Sequence, residues 1–219
     1  MVKNIKRLVP QLYIVCEDEN FGKEYLELLC KERQKKNSTH RALIDHCGSN
    51  NAPETIVKMT GEKSLGLKRR GKITGSANVF CIFDVDLNTG GQTPQNRQGQ
   101  IDRALILAKK YNIKIILNNS CIERWFLFHF SNSTAEWNQK EALQEIQTKF
   151  STYSKSVNFS DKENLMKELL SPIKYKKAYH FIINTLKTLH NVSLNNSCYK
   201  IKNNPYSNMY ELLSELKLI

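Results

Sequence analysis

The chain has 219 residues, 40% of them hydrophobic and 25% charged, which is ordinary for a globular domain and excludes a low-complexity or disordered polymer. Its 33 lysines and arginines against 21 aspartates and glutamates leave a formal charge of +12, which points to a polyanionic partner such as nucleic acid. No apolar run reaches the roughly 20 residues a membrane span needs, and Pro10 and Gln11 interrupt the stretch behind the basic start before a signal-peptide core can form.

A cytoplasmic protein is therefore expected, without membrane contact. A general lysine and asparagine bias of the coding sequence is the bland explanation of the charge. Six cysteines are scattered singly without a CxxC pair. Buried thiols in a reducing compartment are expected from them, rather than a zinc site or a disulfide framework.

In chain order, the apolar run 11–16 reads as a first strand, delivering Glu17, Asp18 and Glu19 to the start of a helix over 21–35. Phe21, Tyr25, Leu28 and Leu29 recur there at helical spacing. Residues 42–47 read as a second strand, and Pro53 opens a short helix to about residue 60. The basic segment with Lys63, Lys68, Arg69, Arg70 and Lys72 lacks apolar periodicity and is expected to be a loop.

Val79 to Phe83 form an unbroken apolar run, as a strand buried on both faces requires. It ends in Asp84-Val85-Asp86. The polar, glycine-bearing stretch 88–99 reads as a loop, followed by a helix over 101–111 and a fourth strand over 113–117. That strand runs into Glu123 and an aromatic helix with Trp125, Phe126, Phe128, His129 and Phe130, which read as core. Helices are expected over 135–150, 162–170, 173–189 and 206–218.

The alternation predicts an α/β fold, a doubly wound and mostly parallel sheet over 1–131. Residues 132–219 are expected as a helical C-terminal elaboration packed on that core.

Asp84 and Asp86, at i and i+2 of an extended segment, share a face about 7 Å apart. Two carboxylates about 4 Å apart repel by about 4 kcal/mol at an effective dielectric near 20. Acids gathered at the carboxyl edge of such a sheet, where ligands bind, therefore call for a hard cation. Mg²⁺ or Mn²⁺ suits them and a phosphodiester substrate. Each acid also has a plainer reading, as a helix cap for Glu17, Asp18 and Glu19, a turn for Asp84 and Asp86, and a first-turn helix acid for Glu123.

Val15-Cys16-Glu17-Asp18-Glu19, Phe83-Asp84-Val85-Asp86, the run from Asn119 to Phe130 and Asn204-Pro205-Tyr206-Ser207 together resemble the RloB-like proteins of bacteria. The corresponding family patterns are VCEGExxE, FDxD, SNPCFExWLLxHF and an NPxT-like close. Asp18 stands where the first pattern has Gly, and the third lacks its Pro. The resemblance spans nearly the whole chain and implies a Toprim-type fold with a metal-dependent phosphodiester site. It also implies a role in antiviral defence, often beside an ATPase partner.

By the Toprim pattern Glu17 is expected as general acid/base or metal ligand and Asp84 and Asp86 as Mg²⁺ ligands, with Glu123 next in rank. Lys174, Lys176 and Lys177, at the start of a helix, are candidates to meet phosphate charge, or else form a solvated basic face. The expected activity is Mg²⁺-dependent hydrolysis of DNA or RNA, with tRNA among the RNA candidates. The alternatives are a phosphatase of the haloacid-dehalogenase kind, built on Asp84 and Asp86, and a non-catalytic Toprim module that binds nucleic acid or regulates an ATPase.

Overall fold

The computed structural model describes residues 9–36, 41–48, 52–85, 93–154, 160–189 and 206–219. Asp86, Cys198, Asn204 and Pro205 lie outside the described residues. Strand β1 (Leu12–Cys16) is buried at all five positions and β3 (Asn78–Asp84) at its five central ones. Both are covered on two faces, as their uninterrupted apolar runs require. β2 (Ala42–His46) is the half-buried edge strand, and β4 (Ile113–Asn119) is buried except at Lys114.

These strands form one sheet in the order β2-β1-β3-β4-β5, where β5 is Tyr206–Ser207. β1 to β4 are parallel, and β5 is antiparallel to β4. The chain leaves β1 to one side for β2, then crosses to the other side for β3 and β4. Right-handed crossovers place α1 (Phe21–Lys36) on one face and α2 (Pro53–Arg69) and α3 (Pro94–Tyr111) on the other. The direction of winding reverses between β1 and β3, and the crevice at their carboxyl ends is the binding position in such sheets.

Helix α4 (Ile122–Leu127) packs on α1: Trp125 Nε1 donates to Tyr25 Oη at 3.0 Å, and Phe21 meets Phe126 edge-on at 5.5 Å. All six residues of α4 are buried, Glu123 and Arg124 included. Arg124 donates through Nη2 to the Ala135 carbonyl at 3.0 Å and lies over the Trp137 and Phe128 rings, which partly offsets its burial. Burial still pulls its guanidinium down to about 10.

The C-terminal stretch adds α5 (Gln139–Lys149), α6 (Lys162–Leu169), α7 (Pro172–Leu189) and α8 (Met209–Glu215). Its apolar residues, among them Leu165, Leu169, Ile182 and Leu212, join the core cluster of the strands. No helix of the described residues is long and apolar enough to cross a membrane. None of the five described cysteines forms a disulfide; Cys16, Cys30, Cys81 and Cys121 are buried and Cys47 is half-buried.

Three expectations of local structure need correction. The segment expected to be a basic loop is helix as far as Arg69, where α2 ends, and only Arg70 to Lys72 leave the helix. Its buried stripe runs Ile56, Val57, Thr60, Gly61, Ser64, switching from apolar to small and hydroxyl residues where α3 comes close. A Cβ on Gly61 would stand 2.4 Å from the Tyr111 ring, so no larger residue fits there. Thr60 and Ser64 bond the Ile56 and Gly61 carbonyls and need no other partner.

Likewise α3 begins at Pro94, inside the stretch read as loop, with Thr93 capping the Asn96 N–H. Its first two turns bury only Arg97, so no apolar period marks them. The third correction is β5, which precedes α8 where helix alone was expected. The Asn208 side chain extends the pairing, accepting from Leu117 N at 2.6 Å and donating to the Ile115 carbonyl at 2.9 Å.

Candidate functional site

Parallel pairing aligns Cys16 with Ile82 and Asp84 with Asn118, so β1, β3 and β4 deliver their next residues to one edge. Glu17 follows β1 directly, and its backbone N–H donates to the Ile82 carbonyl at 2.9 Å. Its carboxylate Oε2 accepts from the Asp84 backbone N–H at 3.1 Å. The two strand-end acids expected to share a site are thus joined across the switch point. Both are half-buried, open enough to meet a ligand.

The Asp84 carboxylate is held from the other side. Its Oδ1 accepts from Asn118 Nδ2 at 3.4 Å, and Asn118 Oδ1 accepts from Ser207 Oγ at 2.8 Å. Ser207 therefore reaches Asp84 through one buried amide. The backbone leaving β3 is clamped by Arg97, whose Nη2 donates to the Asp84 carbonyl and Nε to the Val85 carbonyl, each at 2.9 Å. Neither Asn118 nor Arg97 stands out as a site residue in the sequence. Arg97 gives no signal there, while Asn118 lies in plain view at the end of a buried strand.

Nearby thiols register these charges. Cys47 is pushed up to about 12 by burial and then by Glu17, and Cys16 is raised by burial and then by Asp18 and Asp84. Asp18 itself serves as the cap of α1, accepting from the Asn20 and Gly22 N–H groups at 2.8 and 3.0 Å. The capping reading of the acids after β1 therefore holds for Asp18, while Glu17 turns toward β3.

Glu123 sits inside α4 with no exposed surface, its Oε1 accepting from Tyr153 Oη at 3.0 Å. The Tyr153 hydroxyl is raised far above its usual value by burial, then by Glu123 and Asp18. This places Tyr153 between the acid of α4 and the cap of α1. Lys174 lies elsewhere: it is ion-paired with Glu168 of α6 and stands 5.0 Å over the Phe130 ring. Lys176 and Lys177 are exposed. His129 is buried as expected, its Nδ1 bonded to the Trp125 carbonyl at 3.0 Å. Burial, with Lys174 adding to it, brings its imidazole down to about 4.

Among the described residues no group of three or more histidine, cysteine, aspartate or glutamate side chains is arranged to hold a metal ion. Glu17 and Asp84 nevertheless present hard oxygen donors of the type Mg²⁺ takes. One or two carboxylates suffice when phosphate oxygens and water complete the shell. Asp86, the expected third acid, lies outside the described residues.

No curated protein and no solved structure matches the chain. The family model described as RloB-like protein matches residues 12–216, from the first residue of β1 to the residue just after α8. The chain belongs to the RloB-like family.

Proposed function

We propose that this protein is a Mg²⁺-dependent nuclease of Toprim type, cytoplasmic, acting on DNA or RNA in antiviral defence beside an ATPase partner. The observation that carries the reading is the bond from the Asp84 N–H to the Glu17 carboxylate at the switch point between β1 and β3. In a phosphatase of the haloacid-dehalogenase kind the aspartate nucleophile normally follows the first core strand, whereas here β1, with its own acid Glu17, precedes β3 and Asp84.

In this reading Glu17 and Asp84, with Asp86, would hold the ion, which would supply polarisation of the phosphodiester and stabilisation of the leaving oxygen. The carboxylate of Glu17, half-buried beside Asp84, would take the proton from the attacking water as general base. Lys174 meets phosphate only by leaving Glu168. Glu123, locked to Tyr153, supports the edge from within α4.

The experiment incubates purified protein with DNA, RNA, tRNA and a generic phosphomonoester, in Mg²⁺, Mn²⁺ or EDTA. Metal-dependent strand cleavage, lost in both Glu17→Gln and Asp84→Asn, is the expected result. Monoester turnover that survives Glu17→Gln but not Asp84→Asn would instead identify the phosphatase. The remaining alternative is a non-catalytic module that binds nucleic acid or regulates an ATPase. Nucleic-acid binding without turnover, even with the ATPase added, would establish it.

A further inference from the structure

The positive charge of the fold gathers on the edge opposite the acids. α2 and α3 both run from the carboxyl edge of the sheet to its amino edge. They end in Lys68 and Arg69 and in Lys109 and Lys110, with Arg70 and Lys72 in the turn that follows α2. That turn is fixed at the amino edge by Thr74 N on the Pro10 carbonyl and by Asn78 N on the Gln11 carbonyl. Cations at helix carboxyl ends suit the helix dipole, which accounts for Lys68, Arg69, Lys109 and Lys110, two per helix, but not for Arg70 and Lys72 in the turn beyond α2.

Their pairing sets these six apart. On the bodies of the same helices Lys58 pairs with Glu62, Lys63 with Asp45, and Arg103 with Glu54. None of the six end residues has an ion-pair partner among the described residues, and five of them are exposed, Lys68 being half-buried. The end of α3 is held against the middle of α2, since the Tyr111 ring closes on Gly61 at a distance that excludes a side chain. From Gly61 α2 runs on for eight residues to Arg69, about 12 Å at 1.5 Å per residue. Gly71 and Gly75 lie in the same turn with nothing within 4 Å of where a Cβ would stand, so a ligand can approach its backbone.

We infer that the amino edge of the sheet, built by Lys68, Arg69, Arg70, Lys72, Lys109 and Lys110, is a nucleic-acid-binding surface separate from the carboxylate edge. Cations without ion-pair partners, five of them exposed and spread over more than 10 Å, match a repeating phosphate backbone better than a compact anion. The adjacent Arg69 and Arg70 supply planar forks for phosphate oxygens. The seven residues of β3 separate the two edges, about 20 Å at roughly 3.3 Å per residue. A strand or duplex anchored on the basic edge is thereby kept off the like-charged acids until it extends around the molecule.

The test is binding, measured without catalysis. The full chain in EDTA is titrated against a fluorescein-labelled 30-base-pair duplex and a 30-nucleotide RNA by anisotropy, across a KCl series, and against phosphatidylserine vesicles. Changing the six residues to Gln is expected to weaken binding to both nucleic acids. It is also expected to flatten the dependence of log K on log[KCl] by about 5 for the duplex, near 0.9 for each phosphate that is no longer neutralised.

Exchanging Lys for Arg at Lys68, Lys72, Lys109 and Lys110 is expected to preserve binding, which separates charge from folding. A Glu17→Gln, Asp84→Asn double variant is expected to bind at least as well as the parent. Absent nucleic-acid binding by the parent chain, or an unchanged salt slope in the Gln variant, overturns the proposal. So does a loss that the Gln variant shows only with the phosphatidylserine vesicles, which marks a membrane surface instead. Because EDTA removes turnover, failure here leaves the nuclease reading standing, and failure of that reading leaves this one.

Discussion

The Glu17 carboxylate accepts a hydrogen bond from the Asp84 backbone N–H at 3.1 Å, so the first acid of the site also fastens the strand that carries the second. Charge and tether can be separated by substitution. Glu17→Gln keeps an oxygen that can accept the N–H, whereas Glu17→Ala keeps neither. Glu17→Gln is expected to melt like the parent while losing cleavage by about 100-fold or more, the usual size of an acid–base contribution. Glu17→Ala is expected to lose the same activity and also about 1 kcal/mol of stability. Equal cleavage by the Gln variant would remove Glu17 from the chemistry.

Arg97 holds the Asp84 and Val85 carbonyls from the second turn of α3 and is almost fully buried. Two bonds to a charged donor, removed together, are worth about 1.5–3 kcal/mol each in isolation and less when the site relaxes. Arg97→Met is expected to lower the unfolding free energy by about 2–3 kcal/mol in urea melts. It is also expected to weaken Mg²⁺ binding by about 10–100-fold, as for other residues that orient ligands. Arg97→Lys, which cannot fork, should fall between them. A Met variant with parental stability and metal affinity would show the clamp to be idle.

Strands β1, β3 and β4 were legible in the sequence because two-sided burial demands continuous apolar runs, and Glu17 and Asp84 were legible because they end those runs. What escaped notice was held by polar chemistry. α2 ran past residue 60 unseen because Thr60, Gly61 and Ser64 do the packing that Leu or Val would announce. Arg97 was hidden in a stretch whose glycines and amides read as loop, since an arginine that binds backbone carbonyls leaves no periodic trace. β5 is two residues long, too short for any alternation. Yet Tyr206 and Ser207 stand within a family-like motif, and that motif proves to place Ser207 on Asn118.

His129 ties stability to pH. Its imidazole falls from 6.5 to about 4 in the folded chain, through burial first. Between those values the unfolded chain binds a proton that the folded chain refuses, so stability falls as pH drops from 6.5 to 4. The full difference is about 3 kcal/mol at 1.36 kcal/mol per pH unit. Lys174, with its Glu168 partner, is the charged group that faces the ring. His129→Phe keeps an aromatic against Trp125 and removes the proton site. Urea melts from pH 4 to 7 are expected to show a shallower fall for the variant; the same slope in both would assign the acid lability to other groups.

Ser207 acts on the site without touching the acids themselves. Its hydroxyl donates to Asn118 Oδ1 and accepts from Met209 N at 3.3 Å, which orients the amide so that Nδ2 faces Asp84. Ser207→Ala removes one buried bond, about 1 kcal/mol, and leaves Asn118 Oδ1 without its donor. The more telling expectation is in Mg²⁺ affinity, read by calorimetry in the absence of substrate, which should drop by about 10-fold or more as the support of Asp84 loosens. Ser207→Thr retains the hydroxyl and is expected to bind as the parent does. Should Ala and Thr variants lose stability alike while metal affinity stays constant in both, β5 would be a staple on the edge of the sheet and nothing more.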